Sequence, residues 1–352
     1  MTSGTGTSAG KNPGDCYPCH HESRVEQGVI FRMQSKSMSA ETDPEEDILR
    51  RFTKLKTAPL QGGGRAPHKY LLVLFAIGKC LKGEGRMMSY ETVRKGLSPL
   101  LSRYAPHTKA IKPHLPFWHL ANDGVWEIDR PDLVRGAERN RPVASTLAAR
   151  FGGLTEPDHD VFSRNPDIAM RVVRGIMSAY FPRSLHDEIL LTAGIEVDED
   201  MRGHEPEDLF EKFEWNRRRV RDPAFRGKVV HAYENQCAVC RFSVRLDRKT
   251  IGLEAAHIRW HEQNGPPVVP NGLALCAIHH KLFDAGAFTI SPEGFRVHVS
   301  SLTAGEGNDE LLGRFDSKPL SFLPREKSSH PGEKHLLWHI NNAYRGSPDG
   351  LV

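Results

Sequence analysis

With 352 residues, 38% of them hydrophobic and 26% charged, the chain has the composition of an ordinary soluble protein. It is long enough for two or three domains with buried cores. No run approaches the ~20 apolar residues of a membrane span, and the opening MTSGTGTSAGKNPG lacks the apolar segment of a secretory leader, so a cytoplasmic location without membrane association is expected. The net charge of +4 conceals a block pattern: residues 65–150 carry 15 Lys/Arg against 7 Asp/Glu, residues 154–208 carry 5 against 13, and residues 209–300 carry 14 against 9. Two basic blocks around an acidic one suit two surfaces for a polyanion; solvated faces of random charge are the competing explanation.

Residues 1–41 are rich in Ser, Gly and Thr without apolar periodicity and are read as a disordered tail. Within them Cys16, Cys19 and His20 mimic a haem-attachment word, which has no context without an export signal. Translation from Met33 or Met38 would account for the tail simply. ETDPEEDILRRFTKLKTAPL (42–60) predicts a capped amphipathic helix with Ile48, Leu49, Phe52 and Leu55 on one face. The glycines at 62–64 break the chain, and PHKYLLVLFAIGKCL predicts a buried helix opened by Pro67. SYETVRKGLSPLLSRY predicts another, capped by Ser89. KPHLPFWHLANDGVWEI (112–128), with two prolines, two tryptophans and an Asn-Asp-Gly turn, predicts an aromatic-rich β-hairpin. Then come a short helix closed by Gly152 and Gly153, helices at 166–181 and 185–192, and an exposed acidic linker at 196–208.

The C-terminal part, 209–352, opens on a helix or helix pair. Phe225, Val229, Val230 and Tyr233 form its apolar side, and Arg217, Arg218, Arg219, Arg221 and Arg226 its basic side. That basic side could contact phosphates or simply face solvent. Next come Cys237-x2-Cys240 and Cys276-x2-His279, two pairs of soft or borderline ligands at zinc-knuckle spacing. Cysteines used this way fit a reducing compartment and a structural Zn2+ better than disulfides. Interleaved with them are His257, Asn271 and His280, which a four-ligand structural site does not need. Strands around 287–299 and a helix from EKHLLWHINNAYRG, with Leu337 and Trp338 as core candidates, should pack on this unit.

The words AHI, NGL, LCAIHH and FDAG, in this order within about 209–300, resemble the HNH nucleases. The resemblance implies two strands and a helix around one divalent metal, Mg2+ or Mn2+. It implies that His257 is the general base that deprotonates the attacking water, a role suited to neutral imidazole. By the same resemblance Asn271 holds the base or its loop in register, and His280 ligates the catalytic metal. Asp284, one helical turn after His280, is a candidate second metal ligand, with helix C-capping as the alternative. Ala256 departs from the pattern, because many HNH enzymes carry a ligating Asp or His immediately before the base; His261 and Glu254 are weaker substitutes. HNH units usually cut one strand each, so a double-strand break would suggest a homodimer, although the sequence carries no clear dimer stripe.

Residues 42–195, through APHKYLLVLFAIG, HLPFWHLANDGVWEI and YFPRSLHDEIL, resemble the sulfur-binding domain of Mcr-type (type IV) restriction endonucleases. That resemblance implies a shallow apolar cavity for the sulfur of phosphorothioated double-stranded DNA. Matched by order, its residues are His68 and Lys69, Leu115 and Pro116, and Arg141 and Pro142. Lys69 stands where Arg is expected, and Leu115 where an aromatic is common. Sulfur is more polarisable and less hydrated than oxygen, so proline edges and methylene stems beside cations make a fitting cavity. Pro116 as a turn residue and His68 as a helix opener are the structural alternatives, while Trp118 and Trp126 are expected in the core.

The expected fold class is therefore α+β: a mainly helical reader with a β-hairpin, then a ββα-metal nuclease on a zinc-knuckle frame. The expected activity is phosphorothioate-dependent DNA cleavage. Two alternatives stay open: an HNH nuclease that reads methylated or unmodified DNA, and a catalytically dead, zinc-stabilised regulator.

Overall fold

The computed structural model describes residues 43–105, 111–134, 142–196, 222–247, 249–347 and 351; the tail, most of the acidic linker and Arg217 to Arg221 lie outside them. Helix α1 (Pro44–Thr53) is opened by Asp43, whose carboxylate accepts from the Glu45 N–H, and buries Ile48, Leu49 and Phe52. Helix α2 (His68–Leu81) is apolar on nearly every side, which predicts a central position. It packs against α3 (Tyr90–Tyr104), α4 (His114–His119), α6 (Glu156–Arg164), α7 (Pro166–Tyr180) and α8 (His186–Ala193). Ser89 caps α3 by accepting from Thr92 N–H, as its position in the sequence suggests.

The stretch 112–128 is not a hairpin. Pro113 and Pro116 sit in the cap and first turn of α4, where missing N–H groups leave no helical bond unmade. Asn122-Asp123-Gly124 closes a 3-10 turn with Gly124 in the left-handed region, and only Trp126–Ile128 is a strand, β2. It pairs with β3 (Phe151–Leu154), which also pairs with β1 (Met88–Ser89), giving a three-stranded antiparallel sheet in the order β1-β3-β2. The glycines expected to close a helix are in β3: α5 (Ala144–Leu147) has already ended. A Cβ on Gly152 would lie 2.8 Å from the Phe117 ring, and one on Gly153 would lie 2.0 Å from the Arg86 carbonyl oxygen. Helix α6 is not evident in the sequence pattern.

In the C-terminal part, α9 (Pro223–Ala232) buries Phe225, Val229 and Val230 as its periodicity predicts. The hairpin β4 (Val244–Leu246) and β5 (Lys249–Ile251) follows. Then β6 (Leu253–His257) pairs antiparallel with β7 (Gly272–Cys276), with His257 opposite Gly272 and Leu253 opposite Cys276. Helix α10 (Ala277–Asp284) starts directly after β7 and packs across both strands. Strands β8 (Phe288–Ile290) and β9 (Val297–Val299), the short α11 (Asn308–Leu311) and α12 (Glu333–Asn342) complete the unit.

Residues Thr42–Val352 form one compact unit with two cores, and the boundary between the cores is not where the charge blocks change. Trp260 and Trp338 belong to the first, helical core, while Leu336 of the same α12 belongs to the second. Leu337 is only half-buried. Trp260 and Trp338 meet edge to face, 5.5 Å between centroids, a contact worth about 1 kcal/mol beyond its burial. The glycines at 62–64 make this seam rather than a break. All three have positive φ, and the loop offers its carbonyls to α12: Trp338 Nε1 donates to Gly63 O at 2.8 Å, and Asn342 Nδ2 to Gln61 O at 2.9 Å. Arg65 N–H donates to Gln263 Oε1 at 2.8 Å, and Gln263 Nε2 donates in turn to Tyr180 O at 3.2 Å.

Candidate active site

The Cys3His cluster comes first, because an ion held there would fix the turn after α9 and the end of β7 to α10. Cys237 and Cys240 lie in the tight turn after α9, where Arg241 adopts φ 61° and its N–H donates to Cys237 O. Cys276 ends β7, and His279 lies one turn into α10. The four ligand atoms all lie within 4.8 Å of one another. Cys237 Sγ is 3.7 Å from His279 Nδ1, Cys240 Sγ is 4.0 Å from Cys276 Sγ, and Cys276 Sγ is 3.1 Å from His279 Nδ1. Tetrahedral zinc needs edges of about 3.6–3.8 Å, so the donor set fits the ion. His279 Nε2 faces Leu311 O at 2.8 Å. A donor bond there leaves the Nδ1 lone pair for metal, the usual outer-shell arrangement.

His257 stands at the end of β6, half-buried, with its ring stacked on Phe225 of α9 at 4.1 Å and 20°. The His261 ring lies 5.6 Å away. Asn271 is fully buried just before β7. Its Oδ1 accepts from Arg259 N–H at 2.9 Å, and its Nδ2 donates to Arg259 O and Pro266 O, each at 3.0 Å. One side chain therefore satisfies three backbone groups of the loop that leaves His257, and its loss would leave them unpaired in the interior.

Adjacent residues of α10 point different ways. His279 faces the thiols, whereas His280 is bracketed by two carboxylates, with Nδ1 at 2.5 Å from Glu254 Oε2 and Nε2 at 3.2 Å from Asp284 Oδ2. Burial alone would lower the His280 pKa, but Asp284 and then Glu254 reverse this and raise it to about 10. Glu254 is held below the usual carboxylate range chiefly by its bond to His280. Asp284, the candidate second ligand, is 4% exposed and also accepts from Ser184 Oγ, a residue of the helical unit. Ala256 is fully buried, and by the two-residue period of a strand it shares the α10-facing side of β6 with Glu254. That shared side was the only sequence signal for Glu254. Ser184 had none, being 100 residues from its partner.

The reader residues are placed less uniformly. His68 and Lys69 open α2, and Leu115 and Pro116 lie in α4, which packs on α2. His68 and Leu115 are half-buried, whereas Pro116 and Pro142 are buried. Burial lowers the His68 pKa. Lys69 Nζ is paired with Asp123 Oδ2 at 2.5 Å, the side chains 12% and 3% exposed, so its charge is already matched inside the protein. Arg141 lies outside the described residues. Trp118 and Trp126 are core, 8% and 2% exposed.

Fold and site together define a helical unit docked on a ββα unit that carries a Cys3His cluster able to hold a metal ion. Residues 45–198 match the family described as ScoMcrA-like, DNA sulfur-binding domain, and residues 237–291 match the HNH endonuclease family. The chain is thus an HNH-type DNA endonuclease that carries a ScoMcrA-like DNA sulfur-binding domain. No curated protein matches it. Similar solved structures include the sulfur-binding domain of ScoMcrA complexed with phosphorothioated DNA, at 24% identity, covering 42% of this chain and 97% of that one with a TM-score of 0.36. The corresponding domain of SprMcrA, also complexed with phosphorothioated DNA, matches at 24% identity over 44% and 95% with a TM-score of 0.37. The type IV phosphorothioation-dependent restriction endonuclease ScoMcrA matches at 16% identity over 66% and 93% with a TM-score of 0.35. The assignment rests on the two family matches.

Proposed function

We propose that the protein is a modification-dependent, type IV restriction endonuclease that selects phosphorothioated double-stranded DNA and hydrolyses its backbone nearby. The observation that carries this reading is the pairing, on one chain, of a DNA sulfur-binding match at 45–198 with an HNH match at 237–291. In the reaction His257 accepts a proton from water as its oxygen bonds to phosphorus, and the bond from phosphorus to the 3′ oxygen breaks. Asn271 keeps the loop after His257 in place through its three backbone bonds. A divalent cation, Mg2+ or Mn2+, held at His280, whose ring lies between Glu254 and Asp284, would supply charge stabilisation for the phosphate and the leaving oxygen. Zn2+ at Cys237, Cys240, Cys276 and His279 is structural.

In the reader, His68, Lys69, Leu115, Pro116, Arg141 and Pro142 form the sulfur site. The domain plan is a tail at 1–41, a reader at 42–195, a linker at 196–208 and a nuclease at 209–352. Among the described residues no helix is long and apolar enough to cross a membrane. The four described cysteines form no disulfide, which suits the reducing cytoplasm, and a homodimer would deliver a double-strand break. The test is cleavage with Mn2+ of matched duplexes with and without phosphorothioate. Cutting of the modified duplex alone is expected; equal cutting of both would remove the sulfur-dependent reading and favour a nuclease that ignores this modification.

A further inference from the structure

His280 makes carboxylate contacts at both ring nitrogens, and the two carboxylates differ in setting. Glu254, at Nδ1, has a side chain 49% exposed on β6; Asp284, at Nε2, has a side chain 3% exposed at the end of α10 and is held by Ser184 Oγ. An imidazole uses one nitrogen for a metal while the other donates to a carboxylate that fixes the ring, so only one of the two acids can share an ion with His280. Among the described residues, the zinc cluster is the sole group of three or more His, Cys, Asp or Glu side chains with ligand atoms within 4.8 Å of one another. Glu254, His280 and Asp284 do not form such a group, as expected when the acids lie on opposite sides of the ring.

We propose that Glu254 is a protein ligand of the catalytic divalent cation, on the Nδ1 side of His280, and that Asp284 is a positioning residue on the Nε2 side. The proposal rests on the nuclease reading and deepens it. A cation that must meet a DNA phosphate needs the open side of the ring, which is the Glu254 side. Hard divalent cations also favour carboxylate oxygen over further nitrogen ligands. Ala256, on the same face of β6 as Glu254, has no ligand atom and is sealed in the core. The sealed acid has a different role. Ser184, from the turn between α7 and α8 of the helical unit, holds Asp284 and through it the His280 ring. The orientation of a nuclease residue thus depends on how the helical unit is seated.

The experiment is an Mn2+ titration of the full chain with its zinc bound, free Mn2+ being read by electron paramagnetic resonance. Glu254→Gln and His280→Ala should each weaken binding by about tenfold or more, with zinc content and melting temperature unchanged for Glu254→Gln. In a second arm, Glu254→Cys titrated with Cd2+ should gain cadmium–thiolate charge-transfer absorbance beyond that of the wild type, whose own thiols set the baseline, because a thiolate prefers the softer ion, while Asp284→Cys should not. Wild-type Mn2+ affinity in Glu254→Gln together with weakened binding in His280→Ala would overturn the role of Glu254 and leave the nuclease reading standing. Unchanged binding in both would overturn both. Cadmium–thiolate absorbance above the wild-type baseline in Asp284→Cys and none above it in Glu254→Cys would reverse the two roles. Should Asp284→Cys fail to fold, the Glu254 variants decide alone.

Discussion

The reader and the nuclease are stabilised in opposite ways. The helical unit wraps a nearly all-apolar α2 with five other helices around an apolar core. The nuclease unit is built from strand pairs of three to five residues, and its hairpin, turn and helix are joined at four ligand atoms within 4.8 Å of one another. The difference carries into function. In the nuclease, the candidate residues from Cys237 to Asp284 are close in sequence, so spacing points to most of them, Ser184 excepted. In the reader, the proposed sulfur-contacting residues are spread over 75 positions from His68 to Pro142, and some already have partners in the interior.

The comparison is tested most severely by removing zinc. Cys237→Ser should abolish the bound ion and melt the nuclease core while the helical core persists, since structural zinc binding supplies on the order of 10 kcal/mol in small domains. Metal analysis and hydrogen exchange would show one zinc lost and protection lost only around β6, β7 and α10; a wild-type melting curve without zinc would sink the frame. Chemistry comes next: His257→Ala should reduce cleavage by about 100- to 10,000-fold with DNA binding and zinc content unchanged, because the base acts only in the chemical step. Single-turnover rates and gel shifts separate the two.

On the reader side, Lys69→Met leaves Asp123, with a side chain 3% exposed, without its cation. Stability should fall by about 3 kcal/mol, and the double variant Lys69→Met with Asp123→Asn should recover part of the loss. If Lys69→Met instead keeps its stability and only flattens the salt dependence of DNA binding, Lys69 is a phosphate contact rather than a structural ion pair. A comparable effect should follow pH. His339 is fully buried, stacked on Phe283 at 3.7 Å, and burial lowers its pKa from 6.5 to about 4. The unfolded chain then takes up the proton more readily, so stability is lost as pH falls from about 6.5 towards about 4, by on the order of 3 kcal/mol in all. His280, raised to about 10, is charged in both states over most of that window and adds little to the slope. His339→Gln should show a shallower acid limb in denaturant titrations.

The smallest expected effect is at the sulfur site. Pro116→Ala should cut discrimination between phosphorothioate and ordinary duplex by roughly tenfold, about 1–2 kcal/mol of apolar contact, with less change in total affinity. Arg141→Ala should weaken binding to both duplexes. Equal loss on both duplexes for Pro116→Ala would show that its buried ring serves the fold alone.

The sequence by itself determined what depends on neighbours along the chain. The caps at Asp43 and Ser89, the apolar faces of α1 and α9, and the buried α2 follow from periodicity and capping chemistry. The clustering of Cys237, Cys240, Cys276 and His279 follows from spacing, because one turn of helix or one tight turn places both members of a pair at one point. Tertiary structure decided what depends on residues far apart. Prolines at 113 and 116 fit a hairpin start or a helix start equally well locally, and packing on α2 selected the helix. Gly152 and Gly153 fit a helix stop, yet Phe117 and the Arg86 carbonyl leave room for glycine only, in a strand. The glycines at 62–64 fit a linker, yet their positive φ opens the loop so that Gly63 O receives Trp338 and the preceding Gln61 O receives Asn342, from 275 and 281 residues away. Asp284 lies one turn from His280 in any helix, but only the docked helical unit puts Ser184 against it. Local rules fix which face a side chain takes, and the partner waiting there is set by the close packing of distant segments.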